Sequence, residues 1–185
     1  VGSEMCIRDR DILEQKGLIL RRAGAGSFVV DPDRSDNALP VVASSGPLHL
    51  HVMRGILEPE IARLAILNMS LARIEALTRI TEDLGRTTDP AQFARLEEDF
   101  QQKLAEGTGN PLLVACYDLV LKARRQRHRS AMLRRLLTPD RMDELRRIHV
   151  DLLGALASGD IAAATDLVQQ MLIDDCLLYT SDAAD

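Results

Sequence analysis

Apolar residues recur at spacings of three and four from residue 48 to residue 175, and this period predicts a succession of helices with one buried face each. In the first helix Met53, Ile56, Leu57, Ile61, Leu64 and Ala65 share a face. Pro59 predicts a kink there, because it removes one backbone donor and crowds the carbonyl of Gly55. Leu71, Ile74, Leu77, Thr81 and Leu84 form the stripe of a second helix. Asp89 followed by Pro90 starts a third, an N-cap with proline at the first helical position; Phe93, Leu96, Phe100 and Leu104 face inward, and Gly107 to Gly109 end it. Asn110 and Pro111 repeat that signal for a fourth, apolar on more than one side from Leu112 to Leu121, which suits a partner subunit as well as the core. Thr138 and Pro139 start a fifth, with Met142, Leu145, His149, Leu152 and Leu156 as its stripe. Gly159 and Asp160 close it and cap a sixth, on which Ile161, Ala164, Leu167, Val168 and Met171 face inward. No segment of 48–175 reads as a strand with a partner, so the expected fold is all-α, an antiparallel bundle of about six helices.

Ahead of the bundle the pattern changes. Leu18 to Arg22 and Ser27 to Val30 read as two short strands around a glycine tip, directly after a helical Leu13 to Lys16 that Gly17 would end. A two-stranded hairpin in that position reads as the last part of a winged helix-turn-helix, with Arg21 and Arg22 placed to touch DNA phosphate and with Gly24 and Gly26 permitting positive φ in the loop. Any small hairpin needs glycine in its turn, so the hairpin alone leaves DNA contact open. Residues 31–47, rich in proline, serine, aspartate and asparagine without sustained periodicity, read as a linker. The expected organisation is a winged-helix remnant at 10–30, that linker, and a helical domain at 48–175. The ends, VGSEMCIRD at 1–9 and CLLYTSDAAD at 176–185, resemble translated sequencing-library adapters and are expected to be artefacts flanking a fragment. Cys6 and Cys176 then carry no meaning, and Cys116, on an apolar helix, is expected to be a buried packing thiol.

Composition narrows the function classes. Of 185 residues 46% are hydrophobic, ample for a core, whereas aromatics at 3% and the absence of tryptophan argue against a surface that stacks single-stranded bases. The net charge of -5 excludes a chain that is basic throughout, yet Arg10, Lys16, Arg21 and Arg22 outnumber Asp11 and Glu14 in the N-terminal piece. No apolar run approaches the ~18 residues of a membrane span and no signal-peptide pattern appears, so a soluble, cytoplasmic protein is expected. Arg124, Arg125, Arg127 and Arg129 read as a solvated helix end complementing its own dipole rather than as a DNA patch, and they surround His128. His49 and His51 are either a metal pair or solvated linker residues. No nucleophile with its base, phosphate-cradling loop or paired-carboxylate site can be assembled, which argues against an enzyme.

Leu13, Glu14, Gly17, Leu18, Ile19, Arg22, Gly24, Gly26, Ser27, Phe28 and Val29 follow the order Leu-Glu-x-x-Gly-Leu-Ile-x-x-Arg-x-Gly-x-Gly-Ser-Phe-Val. Farther on come Arg54-x-x-Leu57-Glu58, Phe100, the Gly109-Asn110 pair, His149, Gly159-Asp160 and Ala163. In order and spacing these residues resemble the GntR superfamily of bacterial transcription regulators, in its FadR branch, over nearly all of residues 11–175. The resemblance implies a homodimer whose winged domains grip operator DNA and whose bundle, of the FadR C-terminal type, binds a small effector. The helix that would enter the major groove then lies upstream of residue 10. Such an effector acts only by binding one arrangement of the dimer better than the other.

The resemblance also implies a site. Many members hold a divalent metal with an aspartate and three histidines, and the metal binds an organic carboxylate. The family's Asp-x-x-Phe-His falls on residues 97–101, which puts Glu97 at the acidic ligand and Gln101 at the first histidine; His149 falls on the second and Met171, eleven residues after Asp160, on the third. Periodicity independently puts these four on the inward faces of their helices. A glutamine oxygen is a poor zinc or nickel ligand and a thioether prefers soft metals, which leaves only Glu97 and His149 as metal donors. The expectation is a metal-free pocket without a cofactor, in which His149 bonds Glu97 or Gln101 or is simply a satisfied core histidine. Arg54, at the family's first-helix arginine, either reaches an anionic effector or pairs with Glu58. The expected effector site is therefore Arg54, Glu97, Gln101, His149 and Met171, and the effector an organic acid. The rival reading is a ligand-blind helical dimerisation module whose pocket Gln101 and Met171 have filled.

Overall fold

The computed structural model describes residues 19–22, 26–29, 40–125, 131 and 134–181, with side chains only within 41–172. The chain divides into two compact units, Val1–Ala43 and Ser44–Asp185. In the first, β1 (Ile19–Arg22) pairs antiparallel with β2 (Gly26–Val29), Ile19 opposite Val29 and Arg22 opposite Gly26. Gly24, the Leu13–Lys16 segment and residues 31–39 of the expected linker lie outside the described residues, as do Cys6, Arg127, His128, Arg129 and the side chain of Cys176. A short helix α1 (Pro40–Ser44) falls within the stretch read as linker.

Six long helices follow among the described residues: α2 (Pro47–Asn68), α3 (Leu71–Arg86), α4 (Pro90–Gly107), α5 (Pro111–Arg124), α6 (Pro139–Ser158) and α7 (Ile161–Ser181). Their starts follow from local chemistry, since the first N–H groups of a helix need acceptors from outside it. Asp89 accepts from the N–H groups of Ala91 and Gln92 at 3.0 and 3.2 Å, and Asn110 from those of Leu112 and Leu113 at 3.1 and 3.2 Å. Thr138 accepts from Arg141 and Asp160 from Ala163. At the start of α2 the Gly46 N–H donates to Nδ1 of His49 at 3.0 Å, so that imidazole serves the helix end. Gly159 ends α6 at a φ of 76°, a left-handed conformation that glycine adopts without steric cost. The backbone of α7 continues past residue 175, the expected end of the helical domain.

Helix α2 is the hub, touching α4, α5, α6 and α7, while α3 packs on α4 and α6. Leu84, Phe93, Leu137, Met142 and Leu145 form one apolar cluster between α3, α4 and α6. Arg146 of α6 closes that corner. Its Nε donates to the carbonyl of Leu84 at 2.9 Å and its Nη2 to that of Thr87, satisfying acceptors at the end of α3, and its guanidinium lies 5.5 Å from the centre of the Phe93 ring. Gly107 lets α4 approach α2, because a Cβ there would collide with the end of Met69.

Four sequence expectations need correction. The buried face of α2 is Leu50, Arg54, Glu58, Ile61, Ala62 and Ala65, not the Met53 and Ile56 stripe; Ile56 is 62% exposed. A charged pair occupies the core side, so the apolar residues of the first turns are rotated outward. Cys116 is exposed rather than buried, on the outer side of α5, and Leu71 is exposed at the first position of α3. Arg124 is 4% exposed, so it is an interior side chain and not part of a solvated helix end. Helix α2 runs through Pro59, which leaves the Gly55 carbonyl without an intrahelical donor while the Cβ side of Gly55 faces open space. No helix among the described residues is long and apolar enough to cross a membrane.

The Asp89 cap carries two backbone donors, so Asp89→Ala is expected to cost about 1 kcal/mol, read as a lowered urea midpoint with an unchanged m-value.

Candidate functional site

Four helices send polar side chains into the bundle. Arg54 and Glu58 come from α2, Glu97 and Gln101 from α4, Tyr117 and Arg124 from α5 and His149 from α6, all buried. Spacings of four on α2 and α4, and of seven on α5, keep each pair on one side of its helix. Charges in such surroundings persist only when paired and hydrogen-bonded.

Half of this group is fully engaged. Arg54 Nε donates to Glu58 Oε1 at 2.6 Å and Nη2 to Oε2 at 3.3 Å, a two-pronged pair across one turn of α2. Tyr117 adds a third donor, its hydroxyl lying 2.8 Å from Glu58 Oε1. Burial first, and then the Glu58 charge, push the Tyr117 hydroxyl pKa well above the usual tyrosine value. Of the two readings of Arg54, the structure shows the ion pair with Glu58.

The other half is looser. Arg124 Nη2 approaches Glu97 Oε2 at 3.5 Å. Gln101, on the next turn of α4, is 2% exposed. The His149 ring stands edge-on to Phe100, with centroids 4.8 Å apart. Its Nδ1 lies 2.8 Å from the carbonyl oxygen of Leu145, and because a carbonyl only accepts, Nδ1 carries the proton. In the neutral ring Nε2 is therefore a bare lone pair, buried and without a hydrogen-bond partner among the described residues. Burial holds the His149 pKa below the usual histidine value; Glu97 and the Leu145 carbonyl pull upward and Arg124 pushes further down. Met171 is buried on α7, which packs on α2 and α6.

Arg21 and Arg22 lie in β1 and Gly26 begins β2, opposite Arg22; only their backbone is described. Glu58, Tyr117 and Arg124 were not singled out as site residues from the sequence. The signal for Arg124 is its distance of two helical turns from Tyr117, which puts it on the buried side of α5 despite the arginines after it. One residue along from Glu97 and Arg124, Glu98 and Arg125 pair at 2.7 Å in a cleft of about 340 Å³ lined also by Ala91, Ala94, Arg95, Asp99 and Arg134.

A divalent metal does not fit the donors present. Glu97 faces a guanidinium, Gln101 and Met171 offer an amide and a thioether, and no group of three His, Cys, Asp or Glu side chains converges among the described residues.

Residues 49–174 match the protein family described as FCD domain. No curated protein matches the chain significantly. Among solved structures, the chain is similar to a transcriptional regulator (GntR family member) from Pseudomonas syringae pv. tomato str. DC3000, with 21% identity and a TM-score of 0.59 over 98% of this chain and 71% of that one. It is similar also to McbR/YncC of E. coli, at 18% identity and a TM-score of 0.57 over 92% and 76% of the two chains. A third is the GntR protein of Streptococcus agalactiae, at 15% identity and a TM-score of 0.59 over 89% and 76%. At these identities the likeness is one of fold.

Two outcomes test the geometry. Tyr117→Phe removes a donor from a buried carboxylate and is expected to cost about 1.5–3 kcal/mol by urea denaturation. Because the folded-state pKa of His149 lies below the ordinary value of 6.5, the unfolded chain binds the extra proton as pH falls into the window below about 6.5. Stability is therefore complete above that window and declines into it, by at most about 1.4 kcal/mol per pH unit for this one group. Denaturation of His149→Phe across the same range is expected to show that slope reduced.

Proposed function

The chain belongs to the FCD-domain family, the helical effector domain of GntR-type transcription regulators, and on that premise we propose that its bundle binds a small organic acid at the Glu97, Gln101, Arg124 and His149 group to control operator binding. The observation that carries this reading is the imbalance within the buried cluster. Arg54, Glu58 and Tyr117 satisfy one another, whereas Nε2 of His149 lies inside the protein with no partner among the described residues. Buried polar atoms in native proteins are nearly all satisfied, and a group that is not so served is a place for a ligand atom. Met171 supplies an apolar wall in this reading, and Arg54 acts at one remove, through Glu58.

The organisation we propose is a winged-helix remnant at residues 10–30, a connection, and the effector domain from 48 onward, in a cytoplasmic protein that pairs as a homodimer. Arg21 and Arg22 would touch phosphate, which positions a protein on DNA without reading its sequence. Outward-facing Leu48, Val52 and Ile56 on α2 and Leu112 on α5 offer apolar area to a second copy.

Thermal denaturation against small carboxylates, acyl-coenzyme A and divalent ions tests the effector reading. A carboxylate at a hundred times its dissociation constant is expected to stabilise the protein by about 2.7 kcal/mol, and divalent ions alone to leave the melting temperature unchanged. No shift from any compound would favour a dimerisation module that senses nothing.

A further inference from the structure

Among the described residues, the charges of the Arg54, Glu58, Glu97 and Arg124 cluster already pair off. Arg54 is balanced by Glu58 and Arg124 by Glu97, and the histidine beside the second pair is neutral in the tautomer its Nδ1 contact dictates. A carboxylate entering this interior adds a negative charge that none of these pairs offsets, and an unbalanced charge at such a place is expensive. Among the described groups facing the His149 ring, Leu145 contributes a carbonyl, Phe100 a ring set at 85°, Glu97 a carboxylate and Arg124 a guanidinium; Nδ1 is engaged by the Leu145 carbonyl, so of the two ring nitrogens Nε2 has the open position for a proton.

We propose that the organic acid is bound without metal and together with one proton, which sits between a carboxylate oxygen of the ligand and Nε2 of His149, while the second oxygen faces Arg124. R–COO⁻ and H⁺ enter together, so the interior stays neutral and no other bond is made or broken. Free His149 is kept neutral by burial, and the bound anion reverses that preference, which makes ligand affinity a function of pH. This inference rests on the effector reading above and gives it a chemical form: a guanidinium and an imidazolium do the work that a divalent ion does in relatives with an aspartate and three histidines.

The test is isothermal titration of the whole chain with acetate, lactate and benzoate, in buffers of differing ionisation enthalpy, with and without EDTA. Expected are an uptake approaching one proton per carboxylate near pH 7, a dissociation constant that falls by up to about tenfold for each unit decrease in pH, and no effect of EDTA. His149→Phe should lose the uptake and weaken binding. Glu97→Gln works in the opposite sense: it removes the negative charge that faces Arg124, so the bound carboxylate takes its place, binding tightens and uptake falls toward zero. That reversal is what a merely structural role for either residue would not give, and it keeps the idea testable if His149→Phe fails to fold. Carboxylate binding with no proton uptake, with uptake retained in His149→Phe, or with a requirement for a divalent ion would overturn the inference and leave the effector reading intact. If none of the three probes or the wider carboxylate panel binds, the effector reading fails and this one with it.

Discussion

Charge neutrality inside a helical bundle governs this structure. Arg54, Arg124, Glu58 and Glu97 are taken out of water among the helices, and each survives there because an opposite charge lies on the same turn or the adjacent helix. The arrangement explains why α2 is oriented as it is. Turning Met53 and Ile56 inward would bury more apolar surface, but it would expel Arg54 and Glu58 from the Tyr117 hydroxyl and from each other. The apolar residues that remain outside are the complement of the charged residues within.

Tightness is uneven across the cluster, and that separates support from function. On the α2 side, three donors meet one carboxylate at hydrogen-bonding distance. Between α4, α5 and α6, a longer ion pair and an imidazole with a bare nitrogen lie beside each other. Rigid elements hold both halves, since α4 and α5 begin at well-formed caps and α6 is fixed at one end by Thr138 and along its length by Arg146. A ligand at the looser half would thus meet side chains already placed by the fold, with little left to organise.

The helix boundaries were legible because they depend on local chemistry. Asp89-Pro90, Asn110-Pro111 and Thr138-Pro139 each pair a side-chain acceptor with a residue that needs no backbone donor, and Gly159 supplies the one backbone angle that ends α6. The stripe Met142, Leu145, His149, Leu152, Leu156 is buried throughout, for it contains no competing polar pair. The face of α2 was not legible by the same rule, because periodicity counts apolar residues and here the inward positions are charged. Arg124 was obscured by neighbours: three arginines follow within five residues, and only the two-turn distance from Tyr117 distinguishes the first of them. The burial of Glu97, Gln101, His149 and Met171 could be read from helical period, whereas the bare nitrogen of His149 depends on which carbonyl its other nitrogen meets, a fact of three dimensions.

The missing rung between Gly55 and Pro59 gives this cluster a mechanical meaning. A helix transmits torque through its ladder of backbone bonds, and α2 lacks one at the turn where a glycine, a residue of low helix propensity, also sits. The Arg54–Glu58 bridge spans that same turn on the inner side and is tied to α5 by Tyr117. Stiffness at the weakest point of the hub helix is therefore lent by side chains, and it can be withdrawn by rearranging charge in the interior without breaking any backbone bond.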